Sequence, residues 1–516
     1  MRHRLLAALA FAGTALAANA ARVELSATPA WQGWTRAERT TELEVRVASD
    51  AAMRATLEVA AGAQRVQATL VLQPGQTQRL SLPLGAAESV EVSLVPASGE
   101  PQRRHLRLQR SESPLLALAL AAPLAAATAS AAALPSPAAT PSALALPGFH
   151  ALQVAAADLP HQAAAYASVD ALVVDAATLA ALAPEQLAAL LAHAAGCARV
   201  VVVVGADARL ARALEGADGC GARSLMLAAT PAQAAAQLEA SFASPLPAPL
   251  PTAVLAALAD AAPTLWSRIA VAVALYLAAA LLAALFVTAW PAAALLALLA
   301  TVAALTLPRV LPADTQTVIW SEGESGARAA RYQARERVIG AAPMELSLAI
   351  PPQLAAAARP CETAPTMRLA FDPAEGRLAS ASFATRLFGQ ASLCFSGSFP
   401  LARSIGAEPG RAGAFTVRNS GIAAWPRGWW LAEGRVHELP ALAPGAAVAM
   451  PAGGAPEPVR ASTLPGAAGG RAAERAALER VPQGGGAALW PLDLAGVAAL
   501  PPGARGWLLV TAAAAP

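Results

Sequence analysis

His193 and Cys197 stand four residues apart, a spacing that puts two side chains on one face of a helix. A cysteine beside a histidine is the pairing of thiol catalysis, because the imidazole takes the thiol proton and the thiolate attacks. Such a pair also needs an oxyanion hole and a third group to orient the histidine, and the sequence displays neither. Asp207 follows Gly205-Ala206 at the end of the apolar run RVVVVV. The end of a buried strand is where an α/β sheet opens its ligand crevice, and the same position suits a helix N-cap. Asp170 and Asp175 flank another apolar run and complete the acidic candidates for a pocket. The four cysteines divide into Cys197 and Cys220, then Cys361 and Cys394. In an oxidising compartment such pairs persist as disulfides, so Cys197–Cys220 and Cys361–Cys394 are expected.

Other chemistries find little support. No CxxC occurs, and no histidine sits at ligand spacing from two cysteines, so neither a metal nor a cofactor is expected. There is no GxxxxGK[ST] loop, no GxSxG and no HExxH. Gly484-Gly485-Gly486 lacks the strand-to-helix setting that a phosphate cradle requires. The net charge of +3, carried on the positive side by arginine alone, is too small to argue for nucleic acid.

The elements that must position these residues read as a series of modules. Residues 22–110 alternate apolar and polar positions in Glu42–Val47, Ala55–Val59 and Val90–Leu94, with turns at Gln73-Pro74-Gly75-Gln76 and Ala97-Ser98-Gly99-Glu100. Short alternating strands between such turns predict a β-sandwich. Trp31 and Trp34 within it are read as core or edge packing, with an exposed contact as the alternative. Residues 111–148 are rich in Ala and Pro and include Leu115–Leu120, which reads as a buried first strand, with a further membrane span over Leu115–Leu134 as the alternative. Residues 149–243 alternate apolar strands (150–155, 169–174, 199–204, 224–228) with helices that begin near Pro184, after Asp207 and after Thr230-Pro231. That alternation predicts a parallel sheet covered on both faces. A Pro-rich linker, 244–265, follows.

Trp266 to Pro308 carries no charge between Arg268 and Arg309. It is about twice the ~20 residues that one bilayer crossing needs, and Trp290-Pro291 interrupts it where a helix would break. The expectation is a two-helix transmembrane hairpin, with a single long, kinked span as the alternative. Met1–Ala20 has a basic start, an apolar centre and the small-x-small site Ala18-Asn19-Ala20, the pattern of a signal peptide. The N- and C-terminal modules are then expected on the periplasmic side of a bacterial inner membrane. Residues 309–516 read as a β-rich domain with a Gly/Pro-rich loop at 440–487 and a helix candidate at Arg471–Arg480. Its Trp425, Trp429 and Trp430 are read as core and bilayer-edge packing, with a carbohydrate or membrane platform as the alternative. The expected fold class is therefore multidomain α+β: an N-terminal β-sandwich, an α/β parallel-sheet domain, the hairpin and a C-terminal β-rich domain.

Two segments resemble known families. ATPAWQGWTRAERTTELEVRV resembles the first strands of bacterial immunoglobulin-like domains. VDALVVDAATLAALAPEQLAALLAHAAGCARVVVVVGADARL resembles the core of class I glutamine amidotransferase-like domains. That resemblance implies a nucleophile elbow at Val204-Gly205-Ala206-Asp207-Ala208, which holds neither Cys nor Ser. The order of modules resembles bacterial inner-membrane proteins often encoded beside MoxR-type ATPases. The implied function is a non-catalytic, membrane-anchored scaffold or assembly subunit. Its implied partners are the lipid bilayer and other membrane or periplasmic proteins, with no nucleic acid. A periplasmic hydrolase or transferase, or a ligand sensor, is the alternative.

Overall fold

The computed structural model describes residues 22–121, 146–205, 225–243 and 314–512. Breaks within these fall at 38, 86, 98, 197, 328, 340–344, 352–357, 362–366, 385–389, 402–404, 410–413, 433, 451–469, 482–484 and 493–504. Arg209, Leu255, Ala274, Leu277, Ala278 and Leu281 are described singly.

The sandwich arises from strict period-two patterning. Gln64–Leu72 alternates buried and exposed residues without exception, so one face must be covered. The cover is the antiparallel three-stranded sheet of Val23–Pro29, Thr41–Ser49 and Thr77–Leu84. The second sheet does not end with the N-terminal strands. Met53–Ala61, Gln64–Leu72, Ser89–Pro96 and Gln102–Arg107 are joined by Met367–Asp372, which runs parallel to Gln64–Leu72 with Met367 opposite Gln64. Arg377–Ala384 and Glu345–Ala349 extend the sheet to seven strands. One hydrophobic core then runs from Leu57 and Leu70 through Leu369 and Phe383 to Trp430 and Trp490.

An eight-stranded sheet carries most of the remaining C-terminal chain, with Asp314–Glu324 paired to Ala329–Ile339 and, in parallel, to Arg505–Ala512. Gly428–Ala432 is buried at all five positions. Trp430 faces the shared core, while Trp429 and Leu431 face helix Gly470–Arg480. Glycine is required at Gly486, because a Cβ there would collide with the Trp430 ring. Trp425, Trp429 and Trp430 are thus core side chains. Trp425 packs on Trp490 at 4.4 Å between ring centroids. Cys361 and Cys394 form a disulfide that staples the edge strand Ala358–Pro360 to Gln390–Pro400.

The third body is a five-stranded parallel sheet of Leu115–Ala119, His150–Gln153, Ala171–Asp175, Arg199–Val203 and Leu225–Ala228, arranged in the order second, first, third, fourth, fifth. Leu115–Ala119 is buried throughout. Its odd positions join the cluster under helix Pro184–Ala195, and its even positions join the cluster under helix Pro231–Ala243. A continuous apolar run is what a strand covered on both faces needs.

The expected fold class is corrected to a β-rich multidomain fold. Among the described residues no helix is long and apolar enough to cross a membrane, and a crossing takes about 20 apolar residues. The two-helix transmembrane hairpin and the inner-membrane location are therefore withdrawn. Within 266–308 only Ala274, Leu277, Ala278 and Leu281 are described; they are helical and exposed. The rest of that segment and the signal-peptide reading of Met1–Ala20 lie outside the described residues.

Candidate functional site

The parallel sheet offers the first place to look, since open α/β sheets bind ligands beyond the carboxyl ends of the strands, where the strand order reverses. Here the reversal falls between Leu115–Ala119 and Ala171–Asp175. Asp175 stands at that point and is fully engaged. One carboxylate oxygen accepts from Thr178 N at 2.7 Å and caps helix Ala176–Ala181, and the other accepts from Ala121 N at 2.9 Å. Asp170 lies at the opposite end of the same strand, about 16 Å away at ~3.3 Å per residue. It accepts from Leu115 N at 2.8 Å and pairs with Arg39 at 2.9 Å and Arg36 at 3.5 Å. Asp170 and Asp175 therefore share no pocket.

His193 belongs to the last turn of helix Pro184–Ala195. A crossover helix runs back against its strands, so this turn lies near their amino ends, away from the crevice. The His193 ring packs on Tyr166 at 5.3 Å. Burial, and after it the charge of Arg39, push its pKa down to about 3, so the imidazole is neutral. Cys197, Cys220 and Asp207 lie outside the described residues. Among the described residues no group of His, Cys, Asp and Glu could hold a metal ion.

Polar contacts bind this body to the sandwich. Trp31 and Gln32 both adopt left-handed backbone, each with φ 55°, a conformation that costs roughly 1–3 kcal/mol per non-glycine residue and persists only where its surroundings enforce it. The hook drives Trp31 into the core of the parallel-sheet body. There its indole donates to Ala165 O at 2.9 Å and meets Tyr166 edge-on at 5.4 Å. Glu42 accepts from His161 N and Gln162 N, and Ser168 Oγ donates to Thr40 O. Arg36, Arg39 and Asp170 belong to the same seam.

A second concavity lies on the far side of the sandwich. It is a groove of about 790 Å³ between Val23–Pro29, an edge of the three-stranded sheet, and Gln102–Arg107, an edge of the seven-stranded sheet. Arg22, Arg46, Arg103 and Arg104 line it, with Glu24 as the acidic lining residue. Arg46 is paired with Glu44, and Arg22 lies 3.6 Å from Glu24. Burial raises the Glu44 carboxyl, but Arg79 and Arg46 outweigh it and hold its pKa below the ordinary value. Arg103 and Arg104 are exposed, and among the described residues neither has a carboxylate partner. Sequence reading missed this groove. The signal was available in QRRHLR, where apolar alternation fails and charge accumulates, as it does on exposed edge strands.

No protein-family model and no curated protein matches the chain. Among solved structures, the yeast delta-COP-I mu-homology domain, complexed with a Dsl1 WxWxV peptide, aligns at 7% identity over 39% of this chain and 95% of that one. The TM-score of 0.18 is too low for the likeness to bear on fold or function.

Proposed function

We propose that this chain is a non-catalytic binding scaffold, a β-rich body whose surfaces hold another protein. The observation that carries the reading is the arginine-lined groove between two sheet edges, open to solvent and built from rigid strands. Further support comes from Asp175, whose two oxygens are committed to backbone N–H groups at the point where a parallel sheet would otherwise offer a carboxylate to a ligand. The neutral His193, packed on the Tyr166 ring, is a structural histidine on the same reading. The continuous core, which takes in Val23 and Leu25 of one wall and Leu106 of the other, holds the groove's two walls together.

The test combines capture with turnover. Cross-linking of the full chain in extracts of its source cells should retain a partner in stoichiometric amount, and Arg103→Glu/Arg104→Glu should release it. Asp175→Asn and His193→Gln should leave retention unchanged. An ester- or amide-cleaving activity that disappears with one of those two substitutions, at an unchanged melting temperature, would sink the scaffold reading.

A further inference from the structure

We infer that the groove binds an acidic, extended polypeptide segment, which adds as a further strand to the edge Gln102–Arg107. The inference rests on the scaffold reading and names the partner chemistry of its groove. Its first support is backbone register. Leu108 N donates to Glu88 O, and the ladder with Ser89–Pro96 has no break, pairing Arg107 with Ser89 and Gln102 with Leu94. Bonded and non-bonded pairs alternate in an antiparallel ladder. The even residues therefore bond inward, and the N–H and C=O groups of Arg103, His105 and Arg107 point away from the sheet.

The facing wall has the same property. Asp50 N donates to Arg22 O, and Val23 pairs with Ser49, so Val23, Leu25 and Ala27 turn their backbone groups outward. Gln102 Nε2 already reaches Val23 O across the seam, which demonstrates that these outward carbonyls accept bonds from the groove. Apart from Val23 O, these outward groups have no hydrogen-bond partner among the described residues, and donors and acceptors presented at every second residue match another β-strand.

Charge selects the partner. Arg103 and Arg104, with no carboxylate partner among the described residues, lie on the pairing edge, and Arg22 beside Glu24 and Arg46 paired with Glu44 complete the basic lining. A basic edge repels basic strands and makes neutral ones desolvate its charges, the usual protection against aggregation, and it attracts an acidic one. A single nucleic-acid strand fits less well, because no aromatic side chain lines the groove for bases to stack on.

The probe is a fluorescein-labelled decapeptide of alternating glutamate and valine, titrated into the full chain by anisotropy at 50 mM and 300 mM salt. Saturable binding at both salts is expected. A lysine-valine counterpart should not bind, and a glutamate-valine peptide N-methylated at alternate residues should bind at least tenfold more weakly. Arg103→Glu/Arg104→Glu should weaken binding at least tenfold. His105→Pro removes an outward N–H at a position where an edge strand tolerates proline; it should weaken binding similarly, with the melting temperature as the folding control. Hydrogen exchange resolved to single amides should slow at Arg103, His105 and Arg107 and stay unchanged at Arg104 and Leu106. Equal binding of the N-methylated peptide overturns strand addition, as does absence of the alternating protection. Displacement by an equimolar 12-nucleotide single strand overturns the choice of a polypeptide. If the decapeptide fails while the captured partner is still retained, the scaffold reading survives and this inference alone falls.

Discussion

The parallel-sheet body and the β-rich body solve the same burial problem in opposite ways. In the parallel-sheet body each strand pairs with one close to it in sequence, and helices Pro184–Ala195 and Pro231–Ala243, the second of them following the fifth strand, cover the two faces. In the β-rich body the decisive pairing joins Gln64–Leu72 to Met367–Asp372, some three hundred residues along the chain. Local pairing costs little loop-closure entropy, and distant pairing must recover a larger cost through burial. The difference teaches that the sandwich cannot be treated as an N-terminal module, because its sheet and its core are completed from the other end of the chain.

The largest expected effect tests that completion. Leu369→Ala should cost about 2–5 kcal/mol, the range for emptying a fully buried leucine site. It should also speed amide exchange in Met53–Leu72, while Arg199–Val203 keeps its protection. Equal loosening of both would mean that the bodies unfold as one unit. Replacing Cys361 and Cys394 with serine comes next. The 33-residue separation corresponds to about 3–4 kcal/mol of chain entropy in the loop-closure treatment. Denaturant unfolding should locate that loss in the β-rich body.

Acid and base should separate the two bodies in opposite directions. Burial pushes the Glu336 carboxyl up from 4.5 to about 7, and its Oε2 has no hydrogen-bond partner among the described residues. A raised acid pKa favours the protonated fold, so that contribution is complete below pH 4.5 and drains away as pH rises to 7. Glu336→Gln should flatten the decline and raise the melting temperature at pH 8. His193 runs the other way. Its folded pKa lies below 6.5, at about 3, so its contribution is complete above pH 6.5 and is lost as pH falls toward 3. His193→Gln should flatten the acid limb of the parallel-sheet body alone. The smallest effect belongs to Asp175→Ala, about 1 kcal/mol for a lost N-cap, read as faster exchange at Thr178.

Legibility followed the range of the interactions. VDALVV and RVVVVV announce strands buried on two faces because the apolar run itself states the requirement. Asp175 was visible as a polar residue at a strand end, but its bond to Ala121 N crosses between strands and leaves no local trace. Asp170 read as a pocket candidate because its partners Arg36 and Arg39 lie more than a hundred residues earlier. Trp31 was assigned to the sandwich in which it sits by sequence, whereas its left-handed hook carries it into the neighbouring core. The hairpin and inner-membrane expectations came from hydropathy, and the described helices do not carry them.

Period and composition alone determined that Glu42–Val47, Ala55–Val59 and Val90–Leu94 lie in half-buried strands and that Leu115–Ala119 lies in a buried one, since alternation and apolar runs are properties of adjacent residues. Tertiary structure alone decided which edges meet, and so where Arg22, Arg46, Arg103 and Arg104 converge. Strand pairing depends on backbone groups that every residue carries alike, and only the closing of distant loops selects among the pairings they allow.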